Sequence, residues 1–141
     1  MVVEINYVAV LLAGVAGMMV GSIWYAPGVF GTIWAQLTKV DMIRQGSAWE
    51  MFRLMATVFL GTLVTAYVLA HVAYIANQFF RNSFIQDTLM TAFWVWLGFV
   101  ALRIFTHDLF EGRRRKLTFI TIGHELATFM VMALVLGAFR P

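Results

Sequence analysis

Hydrophobic positions in this chain gather into four long runs, at 5–25, 52–75, 88–108 and 117–138, with charge almost absent inside them. Each run is close to the ~20 apolar residues that a helix needs to cross a bilayer core of ~30 Å. In hydrocarbon a segment must satisfy its own backbone polar groups, so runs of this length predict spanning helices. The polar breaks carry helix punctuation. Pro27 stops the first helix, because proline disfavours helical backbone at Ala26 and has no N–H to donate. Ser47-Ala48-Trp49-Glu50 reads as a capping box opening the second helix, and Ser83-Phe84-Ile85-Gln86 repeats the device before the third. Gly112 ends the third helix, and Arg113-Arg114-Arg115-Lys116 makes a basic turn into the fourth.

A different period occupies the connection after the first run. Phe30, Ile33, Trp34 and Leu37 follow the i, i+3, i+4, i+7 rule, while Thr32, Gln36 and Lys39 fall off that stripe. This predicts a short amphipathic helix in the membrane interface, although a helix packed on the bundle ends would show the same stripe. Trp24, Tyr25 and Trp34 are the expected interface anchors. The expected fold is therefore an all-α membrane protein: one four-transmembrane-helix bundle over 1–141, with a short interfacial helix between helices 1 and 2.

Composition narrows the functional classes. A chain that is 62% hydrophobic and 12% charged has too little polar surface to cover a soluble core. With no cysteine there are no disulfides, thiolate metal sites or cysteine nucleophiles. Net charge is only +3, and the basic residues lie beside span ends, so lipid and topology explain them better than nucleic acid. Lys39, Arg44, Arg53 and Arg113 to Lys116 fall in the first and third connections; Arg81 and Arg140 fall on the other side. The positive-inside rule then places both termini on the non-cytoplasmic side of the inner (cytoplasmic) membrane. The start, Met1-Val2-Val3-Glu4, lacks the basic region of a signal peptide, so the first span is expected to be retained.

Two sets of residues are candidates for function. Ala9, Ala13, Gly17 and Gly21 recur every four residues on helix 1, a small-residue stripe that admits a neighbouring helix, more readily one of the same chain than of a second copy. The second set is a polar cluster around the third hairpin: Arg103, His107, Thr121, His124 and Glu125. Pairing across Gly112 sets Arg103 near Glu125, so an ion pair is expected, since a lone charge in an apolar span is costly. Thr118, Thr121, Glu125 and Thr128 share one face of helix 4, and Trp96, Arg103 and His107 one face of helix 3. Such a cluster could dock two helices, line a proton or substrate path, or bind a metal through His107, Glu111, His124 and Glu125. The metal option is weakest beside Arg103, and neither a metal nor any other cofactor is assigned. Nucleophile elbows, phosphate loops and zinc-protease helices are missing from the sequence, so no residue is assigned a catalytic role and no enzyme is expected.

The segment Gly21-Ser22-Ile23-Trp24-Tyr25-Ala26-Pro27, followed by Phe30-Gly31 and Trp34, resembles the first-helix signature of domain of unknown function 1761, W-Y-x-P-x-x-F-G-x-x-W. Leu109-Phe110-Glu111-Gly112-Arg113 is similar to that family's third-hairpin segment, and Gly123 falls on its helix-4 glycine. At His124-Glu125 the sequence departs from the family's more usual aromatic and histidine. The resemblance implies a small four-span bacterial membrane protein and brings no activity with it. The leading expectation is a non-enzymatic protein acting through assembly, as a homo-oligomer or an accessory subunit, with the lipid bilayer and other membrane subunits as partners. The alternative is a small channel or transporter with a path at Arg103, His124 and Glu125.

Overall fold

The computed structural model describes residues 3–39 and 47–141. Arg44, one of the basic connection residues, lies outside the described residues. The described chain is all-α, and four of its helices are long and apolar enough to cross a membrane. They are α1 (Tyr7–Trp24), α3 (Ala48–Phe80), the span Phe84–Phe110, and α6 (Arg115–Ala138). A π segment at Trp96–Ala101 divides the third span into α4 (Phe84–Val95) and α5 (Leu102–Phe110). The short α2 (Thr32–Thr38) follows a second π segment at Pro27–Gly31.

The helix ends form as their residues dictate. Ala26 is extended, as the residue before a proline must be, and the chain restarts at Pro27. Ser47 and Glu50 make the full reciprocal capping box. At Ser83 only half of it forms: its hydroxyl accepts from the Gln86 N–H, while the Gln86 side chain meets that same hydroxyl at 2.8 Å. Gly112 takes φ +65, and the N–H groups of Gly112 and Arg113 return to the carbonyls of Leu109 and Asp108. That is the Schellman arrangement, in which glycine avoids the strain of a left-handed residue.

Neighbours around the bundle run α1, α6, the third span and α3, so α1 contacts α6 and α3, and α4 contacts α3 and α6. The core lies toward one end. Ala9 and Ala13 of α1, Ala66 and Ala70 of α3, Ala92 of α4, and Met132 and Ala133 of α6 are buried there. Without a hydrophobic drive in lipid, close backbone approach between small residues is what holds helices together. α3 is about 50 Å long, from the rise of 1.5 Å per residue. Its buried residues begin only at Ala66, and residues 48–55 are all exposed, so its first turns stand apart from the other helices.

The small-residue stripe of α1 belongs to this intramolecular seam. A Cβ on Gly17 would meet Met132 Cε at 2.5 Å and Thr62 Cγ2 at 2.8 Å, placing the glycine between α6 and α3. α2 turns its apolar side toward the bundle end, leaving Phe30, Ile33, Trp34 and Leu37 half-buried and Thr32, Gln36 and Lys39 exposed.

Candidate functional site

Where α3 leaves the bundle, a cavity of about 620 Å³ opens between α1, α3 and α6. Small residues make the room: Gly17 and Gly21 on α1, and Gly61 on α3, line it. Met18, Met55, Val58, Phe129 and Met132 supply apolar wall, and Thr62, Thr65 and Thr128 add hydroxyls. His124 and Glu125 are its ionisable polar centre, about 14 Å along α6 from Arg115.

The hydrogen-bond pattern orders this centre. His124 Nδ1 lies 3.3 Å from Glu125 Oε1, and Nε2 lies 3.5 Å from the Thr128 hydroxyl. An ionised carboxylate only accepts, so Nδ1 carries a hydrogen toward it. In the neutral ring Nε2 is then the acceptor, and Thr128 donates to it. Beneath the imidazole sits an aromatic floor. Tyr25 packs at 5.1 Å and Trp24 at 6.3 Å from the His124 ring, with Trp34 against Tyr25 and Phe30 against Trp24. A Cβ on Gly123 would approach the Trp24 ring to 3.1 Å, so this glycine lets the indole lie against α6. Trp24 and Tyr25, two of the expected interface anchors, thus turn their rings onto His124, and Trp34, the third, packs on Tyr25. The Trp24 indole N–H is buried with no hydrogen-bond partner among the described residues.

The cluster read from the sequence divides here. Thr121, His124 and Glu125 come together on the inner side of α6, in line with buried Thr118 and Thr128. Arg103 and His107 do not join them. Arg103 is exposed, and the expected ion pair with Glu125 does not form; Glu125 is paired with its neighbour His124 instead. The reason is the π segment. In a continuous α-helix Arg103 would stand about 20° round from Trp96, and Ala101 and Asp108 about 120–140° round from it. A turn closed by i→i+5 bonds advances less per residue. Ala101 and Asp108 therefore share the buried face with Trp96, whose indole donates to the Ile122 carbonyl at 3.2 Å. Arg103 swings outward. His107 is 72% exposed and meets Glu111 at 3.7 Å on the outer surface. His107, Asp108 and Glu111 stand close enough to share a metal, but they are apart from His124 and Glu125, so the proposed four-residue ligand set does not assemble.

Two buried carboxylates escaped the sequence reading. Asp108, 3% exposed, accepts from the Thr118 hydroxyl at 2.7 Å and from the Arg113 guanidinium at 3.3 and 3.4 Å. Asp87, 4% exposed, accepts from Asn77 Nδ2 at 2.7 Å, Asn82 Nδ2 at 2.9 Å and the Asn82 N–H at 3.2 Å. Each closes one helical hairpin. A polar partner ten residues away across the turn was the available signal in both cases.

No curated protein and no solved structure matches the chain. A sequence model for the family described as protein of unknown function (DUF1761) matches residues 8–137, which takes in the aromatic floor, the π segment and the cavity helices. The chain is a member of the DUF1761 family.

Proposed function

We propose that this protein is a multi-pass membrane transporter for small, membrane-soluble molecules, which bind in the cavity at His124 and Glu125. One observation carries the reading: an ionisable pair faces a roomy, mostly apolar cavity inside a spanning bundle. Intramembrane ionisable groups are costly and belong by default to ligand or proton paths. The volume also suits a small ligand. Arg103 has no part in this site. The basic connections support a cytoplasmic placement for the cavity end of the bundle, with both termini outside and α2 at the inner interface of the cytoplasmic membrane. The site is read as binding rather than catalytic, since no nucleophile or cofactor motif accompanies it.

The test uses a variant that fills the cavity without disturbing its walls. A Cβ on Gly61 meets nothing within 4 Å, so Gly61→Phe has room to enter. In mild detergent, a panel of small lipophilic compounds is screened for thermal stabilisation, and each hit is then followed for uptake into proteoliposomes. Hits that stabilise the wild type but not Gly61→Phe support the reading. Compounds that stabilise both proteins alike, or cavity ligands that never cross the liposome membrane, overturn it.

Assembly, as a homo-oligomer or accessory subunit, is a second reading with a different support. The first half of α3 leaves Phe52, Leu54 and Leu60 exposed. Native mass measurement in mild detergent tests it, and a strictly monomeric particle that carries no other protein would remove it.

A further inference from the structure

The charges around the cavity are unequal. Among the described residues that line it, Glu125 is the one acid, and none is lysine or arginine. The carboxylate is 30% exposed, and its one ion-pair partner among the described residues is His124. Arg113 of the third hairpin is held by Asp108 and does not line the cavity. The other titratable groups that face the pair are few. Tyr25, just after α1, is one, while the described residues that α3 and the third span bring to the lining are uncharged. With His124 neutral, the described lining therefore carries a net negative charge in an apolar surrounding.

We infer that the cavity takes a lipophilic organic cation, with Glu125 as its counter-ion and the Tyr25 ring as a cation–π face. This rests on the transport reading and names its substrate class. In a low-dielectric cavity an unscreened carboxylate attracts a cation more strongly than it would in water, and an aromatic face adds to it. Apolar wall from Met18, Met55, Val58 and Met132 matches the hydrocarbon part of such a ligand. Access is lateral: Ser22 on α1 and Met55 and Val58 on α3 are exposed lining residues, so the mouth lies on the lipid-facing side. A cation entering there avoids the basic hairpin.

Tetraphenylphosphonium and tetraphenylborate share shape and differ in sign, which makes them the probes. Equilibrium dialysis with purified protein in detergent at pH 8 should give saturable binding of the phosphonium at least tenfold tighter than of the borate. Glu125→Gln should weaken phosphonium binding at least tenfold while keeping the wild-type elution volume and helical circular dichroism. Equal binding of both ions, unchanged binding by Glu125→Gln, or no saturable binding of either ion overturns the cation assignment. Gly61→Phe separates the two levels. If both ions bind the wild type alike and Gly61→Phe abolishes both, the cavity stands and the cation assignment falls. If Gly61→Phe leaves all binding unchanged, the cavity reading falls with it.

Discussion

Gly17 and Gly31 are both places where a missing side chain is used, yet the atoms facing them differ in how far they can yield. At Gly17 the facing atoms are the ends of Met132 and Thr62, which can shift to admit a methyl group. At Gly31 an added Cβ would run into the backbone carbonyl of Tyr25, held by the π turn in which the Gly31 N–H donates to Ala26. Gly31→Ala should therefore lower stability by at least ~1 kcal/mol, and by more than Gly17→Ala does. Gly17→Leu overfills the seam and should lose about 1–3 kcal/mol. Thermal unfolding in detergent checks the order; a Gly17→Leu protein as stable as the wild type would mean that α1 does not pack there. The four-residue stripe was legible because small side chains at helical spacing have one plain use in lipid. The burial of Asp87 and Asp108 was not, because a carboxylate near a turn is ordinarily solvated and only its partners reveal otherwise.

At the scale of elements, caps and stops were written locally and could be read. Pro27, Ser47 with Glu50, and Gly112 act on backbone groups within a few residues, so their consequences need no knowledge of the fold. Arg103 shows the limit. Its facing depends on whether Trp96–Ala101 winds as an α or a π turn, and nothing in Trp96-Leu97-Gly98-Phe99-Val100-Ala101 announces the wider one. Since Arg103 faces outward, Arg103→Met should change stability by no more than ~0.5 kcal/mol. Asp108→Leu should cost about 1–3 kcal/mol, because it leaves the Thr118 hydroxyl buried without its acceptor. Chemical denaturation of both variants in micelles decides the matter. A large loss for Arg103→Met would restore a buried role for the arginine.

For the whole molecule, the division between a closed end and an open end matters most. The closed end is a core of alanines interleaved with larger side chains such as Leu69 and Leu136; the open end holds the cavity, the aromatic floor and the basic hairpin. Hydrophobic runs foretold the four helices but could not foretell this division, which follows from α3 being far longer than α1 and leaving the bundle partway. The His124–Glu125 pair was legible as a candidate, whereas the room beside it was not. Sidedness can be tested directly, since the chain has no cysteine. Cysteines at exposed Gln78 and Glu111 remove no basic residue and lie at opposite ends of the bundle. From outside intact cells an impermeant thiol reagent should label Gln78→Cys and spare Glu111→Cys; the reverse pattern would invert the proposed orientation.

The two carboxylate clasps also bear on the order in which the chain can fold. Asp87 finds Asn77 and Asp108 finds Thr118, each only ten residues away. α1 must find α6, and the Asn6 amide meets the Arg140 carbonyl 134 residues along the chain. Closing a short loop loses far less entropy than closing a long one. Two hairpins, α3 with α4 and α5 with α6, are therefore expected to zip independently as they enter the membrane. α1 can pack on α3 early, but the side of Gly17 that Met132 covers stays open to lipid until α6 inserts.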